Sequence, residues 1–233
     1  MSVPDQIVDR VSDALGALYR HPNQTLLAWY RYAIYAALVA DHYPAGYAAR
    51  AWVDVLSARH ALFCWQPYAQ KGWPATWLQP TDLLELAERT LQGEGDPCMI
   101  QRQITRAAAL ADMLGAPAGS PEYPAWCVFE AALRAIQSAW IARTRDAAQT
   151  ASFGGAAGHG GLDDASWYAA IAIAGGLPLL HAGSDPRTRT APADGAGAAA
   201  DTAVQLRWTF FWEWWLREAI PQAALIARSS MVL

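Results

Sequence analysis

Arg207-Trp208-Thr209-Phe210-Phe211-Trp212-Glu213-Trp214-Trp215-Leu216-Arg217-Glu218-Ala219-Ile220-Pro221 decides how this chain folds. The 233 residues contain twelve Trp and five Phe, and four of those Trp and two of those Phe fall within residues 208–215. On a helix, Trp208, Phe211, Trp212, Trp215 and Ala219 recur at the i, i+3, i+4, i+7 spacing of a single face. Phe210 and Trp214 lie nearly opposite, which leaves only a narrow polar strip around Glu213 and Arg217. A helix apolar almost all round must be buried on several sides or covered by a partner. The run therefore reads as a clasp that holds the C-terminal helices to a helical core, with Pro221 opening a short last helix.

The rest of the chain agrees with a helical class. Hydrophobic residues make up 54% and charged residues 16%, against roughly 25% charged in an average soluble domain. Alanine is abundant and runs of Val, Ile and Thr are scarce, which favours helices over strands. The expectation is one all-α domain over residues 1–233, with about eight or nine helices in an irregular bundle or a solenoid-like array of helix pairs. Periodicity and breakers place helices near Asp5 to Tyr19, Gln24 to Asp41, Gly46 to Tyr68 and Pro97 to Leu114. Further helices follow from Pro121 to Thr150, from Asp163-Asp164 to Gly175 and from Asp201 onward. Asp82-x-x-Glu85 reads as a capping box opening another helix that ends at Gly93. Residues 150–162 and 182–200 are Gly/Ala-rich and read as flexible connections.

Charge and motifs narrow the function classes. Net charge is −4 with no Lys/Arg cluster, so the electrostatic footprint of a nucleic-acid partner is missing. Three cysteines (Cys64, Cys98, Cys127), odd in number and without a CxxC pair, read as reduced, buried thiols of a cytoplasmic protein. The start of the chain, with Asp5, Asp9, Arg10 and Asp13, lacks the pattern of a signal peptide. Ala165 to Ser184 carries no charge over a membrane-spanning length, but Gly175-Gly176 and Pro178 interrupt it. A buried helix ending at the glycines is the better reading, so no membrane span is expected.

Catalytic and metal-binding patterns are thin. The five histidines lie in separate elements with no HExxH, and no GxSxG, phosphate loop or GxGxxG appears, so neither catalysis nor a cofactor or metal is expected. His60, beside Arg59 on a long helix, reads as structural. Two groups remain as partner-binding candidates. Asp82, Glu85 and Glu88 would present carboxylates, although Glu85 can pair with Arg89 one turn on. Trp73 and Trp77 sit in a Pro-rich loop, where Trp is either tucked under the fold or offered as a contact.

Two stretches together resemble the all-helical immunity proteins encoded beside bacterial polymorphic toxins. One is Arg59-His60-Ala61-Leu62-Phe63-Cys64-Trp65 leading to Leu83-Leu84-Glu85-Leu86-Ala87 and Leu91-Gln92-Gly93-Glu94. The other is Phe211-Trp212-Glu213-Trp214-Trp215-Leu216 with Glu218-Ala219-Ile220-Pro221. The resemblance covers about half the chain and makes Trp208, Phe211, Trp212, Trp215 and Pro221 its structural signature. It implies binding rather than turnover: a cytoplasmic antidote that occupies a cognate secreted toxin domain. Against it stand a hydrophobic small-ligand binder or enzyme with a Trp-lined pocket, and peripheral membrane association through Ala165 to Leu180.

Overall fold

A computed structural model describes residues 5–21, 26–41, 45–69, 73–74, 77–118, 120–144, 164–175 and 195–229, and among these every regular element is helical. Helices α1 (Asp5–Arg20), α2 (Ala28–Asp41) and α3 (Ala45–Ala61) come first. After α3 the backbone tightens into a 3₁₀ turn, Leu62–Cys64, and then a four-residue helix α4, Gln66–Ala69. The long helix expected to Tyr68, with Pro67 expected to end or kink it, is broken earlier, at Leu62. Pro67 explains this, because it offers no N–H and its ring crowds the carbonyl four residues back.

Helix α5 (Pro80–Leu91) starts two residues before the expected cap. Pro80 takes the first-turn position that tolerates a missing N–H. Asp82 is the third residue of the helix and accepts a 2.9 Å bond from the Gln79 backbone N–H. The box is therefore Gln79/Asp82 rather than Asp82/Glu85. Helix α6 (Pro97–Leu114) matches its expected bounds, with the Asp96 side chain accepting from the Cys98 and Met99 amides. Helix α7 (Tyr123–Thr144) follows, then α8 (Ala165–Ala174), capped by Asp164 and closed by Gly175 at φ 81°. That left-handed position suits glycine because no Cβ meets the backbone there. Ending there, α8 is far too short to cross a bilayer, and no described helix is long and apolar enough to do so.

The aromatic segment holds two surprises. Helix α9 (Gly195–Trp214) begins six residues before the expected Asp201, because Ala198, Ala199 and Ala200 extend it with the strongest helix former. The flexible reading of 182–200 fails over 195–200, while residues 182–194 and the connection at 150–162 lie outside the described residues. At its other end α9 does not stop. It passes through a π turn, Trp215–Ala219, straight into α10, Ile220–Ser229. Pro221 would leave a carbonyl without a donor, and the wider turn sends the Ile220 N–H to the Trp215 oxygen instead.

Helix α3 packs against α2, α5, α7, α8 and α10, and α7 against α3, α5, α6 and α8. Contacts between elements so distant in sequence describe a bundle rather than a solenoid, where repeats touch only their neighbours. Gly46 lets α3 approach the end of α2, since a Cβ there would stand 2.6 Å from the Val39 Cα. The predicted face of the aromatic helix is the heart of the core: Trp208, Phe211, Trp212, Trp215 and Ala219 are all no more than 1% exposed. Its opposite side is only partly covered: Trp214 is half-buried, whereas Phe210 is 65% exposed.

Candidate functional site

The most concentrated chemistry lies inside the bundle, where four helices and the π turn each contribute a polar group. Asp54 of α3, 2% exposed, accepts from the Tyr35 hydroxyl of α2 at 2.9 Å and from the Ser138 hydroxyl of α7. The Tyr35 oxygen also lies 3.0 Å from Ser166 Oγ of α8, and Ser166 lies 3.1 Å from Ser57 Oγ. The Trp215 indole N–H donates to Ser166 at 2.8 Å. Burial raises the Asp54 carboxyl to about 6. The Arg50 charge and the Ser138 and Tyr35 hydroxyls oppose the rise, while Asp164 adds to it. Burial also lifts the Tyr35 phenol well above its ordinary value, with the Asp54 charge adding to the effect. These groups hold one another, so they join helices rather than face an open cleft.

Beside this network Arg31 of α2 is only 1% exposed. Its Nε bonds Asp164 at 3.0 Å and its Nη1 the Leu26 carbonyl at 3.2 Å. The guanidinium also lies over the rings of Trp167 and Trp212, 5.1 and 5.2 Å from their centroids. Asp164 does two jobs, since its other oxygen caps α8 through the Trp167 amide at 2.7 Å. A buried charge needs such partners to offset its lost hydration.

The candidates read from the sequence fall in a different place. Trp73 is buried, edge-on to Trp65 at 5.2 Å and to Trp77 at 5.1 Å, with Phe129 behind it at 5.9 Å. It is a packed indole, whereas Trp77 sits at the rim of the same cluster, 36% exposed. Asp82 is exposed but serves as the α5 cap, and Glu85 is exposed. Glu88 binds Arg59 of α3 through both carboxylate oxygens, one at 2.8 Å. Of the three carboxylates only Glu85 thus stands clear of an internal bond in the geometry just described.

Other readings resolve individually. His60 lies flat on Trp214, with centroids 3.8 Å apart and planes 7° from parallel, and burial lowers its basicity. Arg217 donates to the Tyr19 hydroxyl at 3.3 Å, and Glu213 bonds the same tyrosine and raises its pKa, so the polar strip of the clasp grips α1. Cys127 is buried and Cys64 half-buried, its thiol pushed up to about 11 by burial, but Cys98 is exposed, contrary to expectation. It sits in the first turn of α6, a solvent-facing end of that helix. No group of three His, Cys, Asp or Glu able to hold a metal occurs among the described residues.

The interior network was missed because its members are isolated polar residues in otherwise apolar stretches. Arg31 is the lone charge of Ala28 to Ala40, and Asp54 sits inside Trp52-Val53-Asp54-Val55. A charge stranded in an apolar run was the available signal. No protein-family model matches this chain, and no curated protein matches it.

Proposed function

We propose that this chain is an immunity protein, which binds and neutralises a cognate bacterial toxin effector domain in the cytoplasm of the producing cell. The observation that carries the reading is the C-terminal run from Phe211 to Pro221, whose order of aromatic residues resembles that of such proteins. Each member has a packing reason to be there: Phe211, Trp212 and Trp215 are buried, and Pro221 follows the π turn. Two further observations favour binding over a Trp-lined pocket. Trp208, Trp212 and Trp215 are fully buried and pack edge to face on one another at 5.7–5.8 Å, as core indoles do. Large aromatics also point outward elsewhere, at Trp29, Tyr32, Phe63 and Phe210, as contact residues of a binding protein do.

The test is co-expression with the toxin domain encoded beside this chain. Survival of cells that otherwise die, together with a stable complex on size-exclusion chromatography, is the expected result. Continued killing with no complex would sink the reading.

A further inference from the structure

The buried network around Asp54 can be followed hydrogen by hydrogen. An indole N–H only donates and a carbonyl only accepts, while a hydroxyl has one hydrogen to give and can accept two. Trp215 therefore gives its hydrogen to Ser166 at 2.8 Å, and Ser57 gives its own to the Val53 carbonyl at 2.7 Å. Half-buried Ser138 gives its hydrogen to one Asp54 oxygen. The other Asp54 oxygen lies 2.9 Å from Tyr35, Tyr35 lies 3.0 Å from Ser166, and Ser166 lies 3.1 Å from Ser57.

With Asp54 ionised this set is one hydrogen short. The Ser57 hydrogen is committed to Val53, at a separation that needs a hydrogen between the oxygens. Tyr35 gives to the carboxylate, so Ser166 must choose between Tyr35 and Ser57. One pair of buried oxygens is left facing with nothing between, which is costly away from water. A proton on the carboxyl closes the set. Asp54 then gives to Tyr35, Tyr35 to Ser166, Ser166 to Ser57 and Ser57 to Val53, in a single file that leaves α3 and returns to it. Trp215 fills the second acceptor site of Ser166.

We infer that Asp54 is the proton-binding site of a latch between α3 and α8: uptake of a proton from water reverses the Tyr35 and Ser166 hydroxyls and makes the Ser166–Ser57 bond, and its loss breaks that bond. The Ser166–Ser57 contact yields because it is the longest in the file. Release of α8 also loosens its neighbours, since Asp164 at the start of α8 holds Arg31 of α2 and Ser166 holds Trp215 of the π turn.

The surrounding charges set where the latch opens. Burial disfavours the Asp54 ion, and so does Asp164 from the α8 side. Arg50, one turn earlier on α3, favours it, with its guanidinium 5.0 Å from the centre of the Tyr35 ring. Tyr35 of α2 stays neutral, its phenol held well above the ordinary value. Helix α7 brings Ser138 and the π turn brings Trp215, neither of which titrates. Glu88 of α5 is turned to Arg59, and Arg228 of α10 stands in the last turn of that helix. The carboxyl therefore titrates at about 6.

The experiment reads the full chain by infrared spectroscopy and by native-state hydrogen exchange at about pH 5 and about pH 8, on either side of that titration. The carbonyl band of a protonated buried carboxyl is expected at the lower pH, and is expected to be missing from Asp54→Asn. After correction for intrinsic exchange, the α8 amides are expected to open about fivefold more often at the higher pH, relative to those of α6, which packs on α5 and α7. Ser57→Ala removes an acceptor that the neutral form alone needs. It is expected to bring α8 at the lower pH to its behaviour at the higher one, with little change at the higher pH. Tyr35→Phe interrupts the file, and is expected to keep the Asp54 band yet lose the α8 difference.

A wild-type spectrum without the Asp54 band at the lower pH would overturn the latch, and so would α8 and α6 responding to pH alike. Equal loosening of α8 by Ser57→Ala at both pH values would reduce Ser57 to packing and overturn it too. An α8 difference that persists in Tyr35→Phe would show that the buried charge acts without the file. The two wild-type measurements decide the matter by themselves if a variant does not fold.

Discussion

The aromatic helix α9 turns Trp208, Phe211 and Trp212 into the core and leaves Arg207 at the surface, whereas α2 buries Arg31 and turns Trp29 and Tyr32 to solvent. The first arrangement follows from the hydrophobic effect alone, since apolar area leaves water. The second works only with help from other elements. Arg31 is held by Asp164 at the start of α8 and lies over two indoles, one of them Trp212 of α9. The conventional helix thus makes the inverted one possible.

Breaking the conventional side should cost most. Trp212→Ala removes a fully buried indole that packs on Trp208, Phe211 and Trp215 and forms one face of the Arg31 site. A loss of about 3–5 kcal/mol is expected from chemical denaturation, the range for deleting a buried Trp or Phe. Stability within about 1 kcal/mol of wild type would mean that the clasp is not central to the core.

The inverted side comes next. Arg31→Met is expected to destabilise by about 3 kcal/mol, because Asp164, only 13% exposed, loses the cation that compensates it. Adding Asp164→Asn should recover part of the loss. The amide removes the uncompensated charge and its oxygen can still cap the Trp167 amide. If the double variant is no more stable than the single one, packing of the Arg31 stem rather than charge pairing explains the site.

How much of this could be read in advance differs between the two regions for a physical reason. The buried face of α9 repeats locally, so periodicity reveals it. The caps of α6 and α8 lie in Asp96 and Asp164 immediately before their helices, and local chemistry again suffices. The orientation of α2 is set by partners far away in sequence: Arg31 meets Asp164 across 133 residues, and Ser138 meets Asp54 across 84. Nothing within a helical window reports such a meeting. The join between α9 and α10 was hidden differently. Proline normally ends or opens a helix, and only the π turn, a rare rearrangement of the preceding carbonyls, carries the helix past Pro221. For the candidate site, Trp73 and Trp77 were visible as a pair, but which of them is buried depends on Trp65 and Phe129 from other elements.

Asp54 sharpens the comparison because it is a buried charge without the full set of partners that Arg31 has. Its pKa is raised from 3.8 to about 6 in the fold, so protonation favours the native state. The contribution of this group is fully present below pH 3.8 and is lost as pH rises from there through about 6. Asp54→Asn keeps an acceptor for Tyr35 and offers an N–H to Ser138 while removing the charge. It is expected to be more stable than wild type at pH 8, by about 1–3 kcal/mol, with the gain vanishing near pH 4. Denaturation at both pH values measures it. A variant less stable at pH 8 would show that ionised Asp54 is well compensated by Arg50 and the two hydroxyls.

The smallest effect belongs to the charge pair placed where α2 has none, on the outside. Arg59 and Glu88 join α3 to α5 through two bonds, but their side chains are 39% and 26% exposed. Water already solvates both groups in the unfolded chain and partly in the folded one, so pairing replaces one good environment with another. Glu88→Gln is expected to cost about 0.2–1 kcal/mol, shrinking further as salt screens the pair. The same chemistry in Arg31 and Asp164 should cost several times more and resist salt, because there no water replaces the missing partner. Melting both single variants at low and high ionic strength tests the contrast. Equal losses with equal salt dependence would show that burial of Arg31 does not set its energetics, and the inverted character of α2 would then need another cause.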